Sequence, residues 1–447
     1  MIEVTLLAAF LCGLALVAIC HPRRELTLAA LIGVTAGFSD LQVGGVHLFT
    51  VLVGLWALFV FGRRPARVVG WTLALAGTAV MVASTSLVGD LVVSPTLALQ
   101  LLGMTFCATA IGLWSTARER RTMFYGLLTA TTVSAVYALL QVTGIAATSV
   151  VHLEISAIGR PSGLTPEPDW LGMFSAIGMI LAFVLPMRRD VRTVVLGLNT
   201  AAWLLAFARA AWLALAVVVV AAAVLAVVDR RRTRAPAVDG RGRTRAVVVA
   251  VVAVVAVVLV QPVLRADLTT RVMQLLGAGV GPDSSDRSGQ ARVEQVTALL
   301  DLSRSGPFYG HGLSSAGRVG VSGKLYLGDY SSNSVASNWV LGLWVDARYV
   351  ALPFIAVLVL VTVVTLRSLG GAVAAVVLVS SLFSNATYFP VFWLALGCAV
   401  ATLATRVVPK PKSKPARTPT RNRPGDASSA PPVGRHRRSL LPGAPRS

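Results

Sequence analysis

Apolar residues in this chain lie in blocks close to twenty residues long, separated by short polar connectors. Residues 68–87, 246–264 and 350–366 are examples. The hydrocarbon core of a bilayer, about 30 Å thick, is crossed by roughly 20 apolar residues at a rise of about 1.5 Å each. Within that core the backbone N–H and C=O groups must be satisfied inside their own segment, so the blocks must be helical. The pattern predicts an all-α polytopic transmembrane bundle of about 12–13 spans.

The predicted spans alternate with connectors of two kinds. We predict spans at residues 2–19, 25–38 (short for a span), 46–61, 68–87, 92–115, 123–142, 169–187, 193–207, 210–228, 246–264, 350–366, 370–387 and 391–405. Lys and Arg are concentrated at 21–24, 63–67, 118–121, 188–192, 230–245 and from Arg406 onward. The alternate connectors are 39–45, 89–91, 143–168 and 265–349, of which the shorter ones carry hardly any Lys or Arg. Basic loops stay in the cytoplasm, so we predict a multi-pass protein of the cell membrane with its N-terminus outside and its C-terminus cytoplasmic.

The net charge of +21 would suit a nucleic-acid-binding protein, but its distribution does not. Short basic groups between apolar blocks are the positive-inside pattern rather than a groove-binding face, so we predict no nucleic-acid partner. The tail, residues 406–447, is rich in Pro, Arg, Lys and Ser. We predict that it is disordered and contacts anionic lipid head groups, beside a membrane domain that covers residues 1–405.

No motif for a metal or a nucleotide occurs. The cysteines lie in or at the ends of apolar blocks, without a Cys/His cluster, and are typical of small packing residues (Cys12, Cys20, Cys107 and Cys398). A P-loop, a GxGxxG sequence and an HExxH sequence are all missing from the chain. We therefore predict no metal and no cofactor.

The two long alternate connectors, 143–168 and 265–349, are the best places for chemistry. Loops of that size are uncommon in compact domains unless they are functional. In the second connector, Val293, Val296, Leu299 and Leu300 follow Arg292 at helical spacing. This spacing predicts a short amphipathic helix that begins at Arg292 and lies along the membrane surface.

Three arginines of the predicted outer side are candidates for an anion site. Arg209 stands between two apolar blocks, where a cation is costly unless it is functional or reaches the head groups. Arg160 and Arg292 lie in polar connectors, where a solvated charge is the ordinary alternative. Together they suit a diphosphate, because guanidinium groups bind phosphate oxygens in pairs and stay charged. Arg287 and Arg318 are further candidate substrate-binding cations of the same connector.

Three uncharged positions complete the candidate site. His311 lies between Gly310 and Gly312, where it is either a turn residue or a catalytic residue. Ser337 and Asn338 are candidate substrate-binding residues, although such a pair ordinarily caps the helix that follows.

Several short segments, taken in order, carry a family resemblance. They are Arg160 and Gly163 with Pro166 or Pro168; Ala208-Arg209-Ala210-Ala211-Trp212-Leu213; and Arg292, Pro307, Gly310 and Gly312. With the large connector ahead of the last spans, this set resembles the O-antigen ligase and O-antigen polymerase superfamily of bacterial membrane glycan-assembly proteins. The resemblance covers most of residues 160–354. It implies metal-independent glycan transfer from a polyprenyl diphosphate carrier at the outer membrane face, with Arg209 and Arg292 on the diphosphate.

One position departs from the family pattern. The ligase branch has a His-Asn pair ahead of the span after the large loop, with an acidic residue about nine positions later. This chain has Ser337-Asn338, with Asp346 at that spacing. A serine does not take a proton at neutral pH without an activating base. Either His311 substitutes, or proton transfer is unnecessary, or this chain has lost ligase chemistry.

The resemblance therefore implies a ligase or polymerase of a cell-envelope polysaccharide, acting as a glycosyltransferase. Its partners would be a polyprenyl-diphosphate-linked glycan, a polysaccharide acceptor and membrane lipids. Arginines would stabilise charge on the leaving oxygen. The alternatives are a transporter or flippase of lipid-linked sugars, for which we find no internal repeat, and a non-catalytic scaffold of a polysaccharide assembly complex, which the missing histidine leaves open.

Overall fold

A computed structural model describes residues 13, 23–38, 41–43, 45–66, 69–89, 95–145, 160–232, 287–319 and 336–407. Helices dominate these ranges: α1 (Arg24–Ala36), α2 (Leu48–Val60), α3 (Val69–Ser84), α4 (Pro95–Trp114), α5 (Ala117–Val142), α6 (Pro168–Val184), α7 (Arg189–Leu205), α8 (Arg209–Arg232), α9 (Arg287–Ser305), α10 (Trp339–Thr365), α11 (Leu369–Ser380) and α12 (Pro390–Val407). A small antiparallel hairpin pairs β1 (Gln42–Val43) with β2 (Val46–His47).

The all-α membrane fold that the hydrophobic pattern predicts is confirmed. Each predicted span within the described residues contains a helix, whereas 246–264, the tail beyond residue 407 and, apart from residue 13, 2–19 lie outside them. Four described helices are long and apolar enough to cross a bilayer, namely α3 with its final turn, α4, α5 and α10. Five shorter apolar stretches are α2, α6, the first part of α8, α11 and most of α12. The division into a membrane domain and a tail stays a prediction.

Helix α5 begins at Ala117, six residues before the predicted start at Met123. Thr116 and Glu119 form a capping box, in which each side chain binds the main-chain N–H of the other residue. Such a cap satisfies N–H groups that the first helical turn leaves without partners. The charged residues 118–121 therefore belong to the helix, although their polarity predicted a connector.

Helices α10 and α11 also differ from the predicted spans. Helix α10 begins at Trp339 instead of Val350, because the Asn338 side chain caps it by accepting hydrogen bonds from the N–H groups of Val340 and Leu341. A backbone break lies within it at Arg348, where φ is 41°. Helix α11 ends at Ser380 instead of Thr387.

Glycines let α1 and α5 pack with their backbones in close contact. A Cβ on Gly33 would overlap the Met123 carbonyl, and a Cβ on Gly126 would overlap the Ala30 carbonyl. Lipid tails supply little hydrophobic drive between helices, so such pairs depend on close packing of small residues. This contact fixes α1 against α5.

One end of the bundle is held by a cluster of charges around Arg64. Its guanidinium binds Glu25 at the start of α1, Glu119 near the start of α5 (2.6 Å) and the Trp114 carbonyl at the end of α4 (3.0 Å). The indole N–H of Trp56 on α2 also donates to Glu119, at 3.1 Å. The ends of α1, α2, α4 and α5 are thereby tied together. This Arg64 end carries the basic residues of 63–66 and those of 118–121 at the start of α5.

Candidate functional site

The opposite end gathers most of the candidate residues, and we call it the site end. It consists of residues 160–168, the corner 206–208 between α7 and α8, residues 306–319, the start of α10, and the corner 381–389 between α11 and α12. Residues 306–319 and 381–389 contact the start of α10, whereas residues 160–168 and 206–208 contact α6.

Residues 160–168 are held against the last turns of α5. The Gly163 N–H donates to the Gln141 side chain at 2.8 Å, and the Leu164 N–H donates to the Ser134 hydroxyl at 3.0 Å. Gly163 has φ of +62°, and a Cβ there would press on Ser134. Only glycine adopts this conformation at little cost. This turn therefore explains why the motif has a glycine at position 163.

Arg160 reaches the first turn of α6. Its Nη1 forms an ion pair with Asp169 Oδ1 at 3.2 Å, and both side chains are largely buried. The predicted cation therefore lies at the helix start, with its charge partly balanced by a carboxylate.

Arg209 lies beside the same helix. It is the first residue of α8 and half-buried, and it follows Phe207, whose φ is 47°. A Cβ on Gly172 of α6 would meet the Cβ atoms of Ala208 and Ala211 at 2.5 and 3.2 Å, so this corner packs tightly on α6. Since Gly172 lies one helical turn from Asp169, Arg160 and the Arg209 corner flank the same part of α6.

A cation at a helix start has the same sign as the end of the helix dipole. Arg209 therefore adds its charge to the N–H groups of the first turn of α8 instead of neutralising them. Such an end attracts anions such as phosphate. The arrangement suits an anionic ligand near the first turns of α6 and α8.

Residues 306–319 are fixed to α10 by main-chain hydrogen bonds. The N–H groups of His311 and Gly312 donate to the carbonyls of Val345 and Asp346 at 3.0 and 2.8 Å. The Asp346 carboxylate accepts from the N–H of Ser314 at 3.1 Å and of Ala316 at 2.7 Å. Asp346 is 5% exposed, so its charge is satisfied mainly by the backbone of this turn.

His311 is buried and engaged by the protein. Its Nε2 lies 2.9 Å from the Leu302 carbonyl oxygen at the end of α9, and its own carbonyl accepts from the Ser315 hydroxyl. A carbonyl oxygen only accepts, so Nε2 carries the proton in this contact. Because Nε2 already carries a proton in this contact, it is not the nitrogen that could take a proton from a hydroxyl group.

Helix α9 confirms the predicted helix but not its start. Arg292 lies inside it, because the helix begins at Arg287. One turn after Arg292, the Gln295 side chain donates to the Val319 carbonyl at 2.9 Å. The Ser337 hydroxyl donates to Gln295 Oε1 at 2.5 Å, so α9 is tied to the start of α10.

The apolar residues of α9 are divided between protein and surface. Leu299 is buried in a small cluster with Ala316, Val319, Ala336 and Val345, whereas Leu300 is exposed. Packing of Leu299 on residues 306–319 thus accounts for part of the amphipathic pattern. Contact of this helix with the membrane surface stays a prediction.

Ser337 and Asn338 have structural partners. Asn338 caps α10, and its Nδ2 donates to the Leu382 carbonyl at 3.1 Å. Arg318 is 3% exposed and ends the short turn Ala316–Arg318. Substrate roles for these three residues stay predictions, and among the described residues no group of His, Cys, Asp or Glu could hold a metal ion.

The corner 381–389 is a part of the site end that sequence reasoning missed. Its Ser381 carbonyl accepts from the Trp339 N–H at 3.1 Å, and Asn385 Nδ2 donates to the Ala336 carbonyl at 3.0 Å. Phe389 packs edge-on against Trp170 of α6, with ring centroids 4.4 Å apart. The corner thus links the start of α10 to the start of α6. The signal was the polar run from Ser384 to Thr387, which lay within a predicted span.

Comparison with known proteins agrees with this geometry. The fold and the apolar helices define a helical membrane protein. Residues 193–347 match the family model described as Wzy_C, O-Antigen ligase, which confirms the resemblance to the O-antigen ligase and polymerase superfamily. The match includes Arg209, Arg292, His311 and Ser337, but not Arg160 or the corner 381–389. No curated protein and no solved structure matches the chain.

Proposed function

We propose that this protein is a membrane glycan ligase or polymerase that moves a glycan from a polyprenyl diphosphate carrier to an acceptor hydroxyl. The observation that carries the proposal is the O-antigen ligase match at residues 193–347, which includes the Arg209 corner and the turn around His311. The donor, the acceptor and the outer membrane face are parts of the proposal. In this scheme the site end faces outside, on the side opposite to the basic Arg64 end.

Arg209 is the residue that we assign to the diphosphate first. It stands at the start of α8, where guanidinium and helix N–H groups favour the same anion. Arg160 is held by its ion pair with Asp169, which lies one helical turn along α6 from Gly172, the residue that packs on Ala208 and Ala211. Arg292 is assigned to the diphosphate because it matches the family motif. It lies on α9, one turn before Gln295.

In the proposed reaction the acceptor oxygen attacks the anomeric carbon while the bond from that carbon to the diphosphate oxygen breaks. The bond electrons leave with the polyprenyl diphosphate, whose added charge the arginines stabilise. Attack from the opposite face inverts the anomeric centre. The acceptor proton can pass to the departing diphosphate, because a phosphate oxygen is a base near neutral pH. This route needs no histidine at position 337.

The scaffold alternative has one observation in its favour. The Ser337 hydroxyl donates to Gln295 and His311 Nε2 donates to the Leu302 carbonyl, so these two atoms are engaged by the protein. A scaffold would bind its assembly partners with no consumption of a lipid-linked glycan.

Consumption of lipid-linked glycan separates these functions. The assay would use membranes from a strain that lacks this gene, complemented with the wild type or a variant. We expect Arg209→Ala to lower the rate by roughly 30- to 900-fold, the kinetic equivalent of about 2–4 kcal/mol for one preorganised donor. Arg209→Lys should lose most of the activity as well, because lysine lacks the paired geometry of guanidinium.

Arg189 supplies a matched control. It too is the first residue of a helix, but it is exposed and lies near the opposite ends of the helices. Arg189→Ala and Arg189→Lys should keep wild-type rates at equal protein levels. Wild-type transfer by well-inserted Arg209→Ala would refute the diphosphate site. Absence of any transfer by the wild type, with glycan assembly still dependent on the gene, would favour the scaffold.

A further inference from the structure

An exposed aromatic cluster lies where residues 306–319 meet the break in α10. Phe308 stacks on Tyr349 with ring centroids 5.2 Å apart, and Trp344 meets Tyr349 edge-on at the same distance. Phe308 is 67% exposed and Tyr349 is 45% exposed. These rings are held together, yet they present much of their surface outward.

The cluster is fixed by Arg348 at the backbone break. Its guanidinium donates to the carbonyls of Gly306 and Pro307, and it lies 5.5 Å from the centre of the Tyr349 ring. Phe308 follows these two carbonyls directly, so its position relative to α10 is set by the same side chain. The aromatic surface is therefore held in a defined position by hydrogen bonds between Arg348 and residues 306–307.

Tyr349 also continues the exposed apolar side of α10. Leu352, Val359, Leu360 and Val363 are exposed at spacings that place them on one helical side together with Tyr349. In a transmembrane helix such a side faces lipid. The aromatic cluster thus lies at one end of a lipid-facing stripe.

The length of α10 indicates how deep in the bilayer the aromatic cluster lies. The helix has 27 residues and is followed by the exposed Arg367, which suits a membrane boundary. A hydrocarbon core of about 30 Å holds roughly 20 helical residues. Counted back from Thr365, roughly 20 residues end near Asp346, within three positions of Trp344 and Tyr349. Trp and Tyr are enriched at this head-group level, because the body of each ring is apolar and its N–H or O–H group reaches water.

We propose that Phe308, Trp344 and Tyr349 form an interface anchor that inserts into the outer head-group zone of the bilayer. The partner is the lipid surface itself. The anchor would hold residues 306–319, and with them the site end, at the depth where a membrane-embedded substrate presents its polar head. The proposal rests on exposure, stacking and helix length, so it does not depend on the glycan-transfer function.

Depth-dependent fluorescence quenching tests the anchor. In a variant whose four native cysteines are replaced by alanine, Phe308→Cys would carry a small fluorophore in phosphatidylcholine vesicles. We expect bromine atoms near the head-group end of the acyl chains to quench it several-fold more strongly than bromine atoms near the chain ends. Tyr349→Cys should give the same order.

Asp301→Cys is the matched control. Asp301 lies on α9, pairs with Arg304 at 2.8 Å, and both side chains are exposed to more than half. A label there should be quenched weakly by either lipid. Equal, weak quenching at positions 301 and 308, in variants that elute and unfold like the parent, would overturn the anchor. If the fluorescence of the label at position 308 changed with soluble oligosaccharide but not with lipid, the anchor would also be overturned. The surface would then be assigned to glycan binding.

Discussion

Asp346 illustrates how single side chains at the site end act on main-chain groups. Its carboxylate accepts from two N–H groups, and its carbonyl accepts from a third. Gly310 is required beside it, because φ is +76° there and a Cβ would lie 2.5 Å from the Asp346 carbonyl oxygen. Asp346 stands where the family pattern has an acidic residue after its His-Asn pair, and it therefore has a structural role that needs no substrate. It fixes the turn that carries His311.

We expect Asp346→Asn to destabilise this turn. An asparagine offers one oxygen where the carboxylate offers two, so the N–H of Ser314 or Ala316 loses its acceptor. A buried N–H without a partner costs about 1–3 kcal/mol. The free energy of unfolding, measured by detergent denaturation in mixed micelles, should fall by about this amount, and a protease should cut residues 306–319 faster.

Asp301→Asn is the control for this loss. Its ion pair with Arg304 is exposed, and such pairs contribute about 0–1 kcal/mol. The free energy of unfolding should therefore change little. Equal stability of the Asp346→Asn and wild-type proteins would mean that the carboxylate does not hold the turn.

At the scale of elements, hydrophobic blocks predicted the positions of the helices, but charged residues led to wrong predictions of several helix ends. The block after residue 350 was predicted too short, because Asp346 and Arg348 interrupt the apolar run from Trp339. The fold accommodates both charges with main-chain partners from residues 306–319. Those partners are about thirty to forty residues away in sequence, so no local pattern could have shown them.

The candidate site was predictable to a similar extent. Arg209 was identified because a cation between apolar blocks is costly, and Arg160 because it lies in a polar connector on the same predicted side. The fold does bring their segments to one part of α6. Gln295 and Asn385 were missed, since an isolated amide in a helix or a corner gives no periodic signal. These two residues matter because their side chains form hydrogen bonds with residues of another element, Gln295 with Ser337 and Asn385 with Ala336.

The glycine contact between α1 and α5 gives an element-scale prediction. Gly126→Ala should force these helices apart, because the new Cβ would overlap the Ala30 carbonyl. Overpacking of this kind typically costs about 1–3 kcal/mol. We expect a lower unfolding temperature in detergent and less folded protein in the membrane.

Gly77→Ala is the matched control on α3. No atom lies within 4 Å of the position that its Cβ would occupy. Alanine also forms helix better than glycine by about 1 kcal/mol. The unfolding temperature should therefore stay the same or rise. A fall of equal size in both variants would show that loss of a helical glycine, not the α1–α5 contact, causes the effect.

At the scale of the whole molecule, the two ends of the bundle differ in charge and in structure. The Arg64 end gathers short basic connectors whose charges bind helix ends and carbonyls. The site end gathers the described parts of the longer connectors, including residues 160–168 and 306–319, with the candidate arginines 160 and 209. This separation agrees with the predicted orientation, in which the basic side of the membrane protein remains in the cytoplasm.

The orientation itself can be measured with single cysteines in a variant whose native cysteines are replaced by alanine. Arg304 is exposed near the end of α9, within the large connector, and Arg189 is exposed at the start of α7. In intact cells, a membrane-impermeant maleimide should modify Arg304→Cys and leave Arg189→Cys unmodified. The second should react only after the membrane is permeabilised, and Ser428→Cys in the tail should behave in the same way. The physical reason is that Lys and Arg near span ends resist translocation. Labelling of Arg189→Cys but not Arg304→Cys in intact cells would invert the orientation and move the site end to the cytoplasm, where transfer at the outer face is impossible.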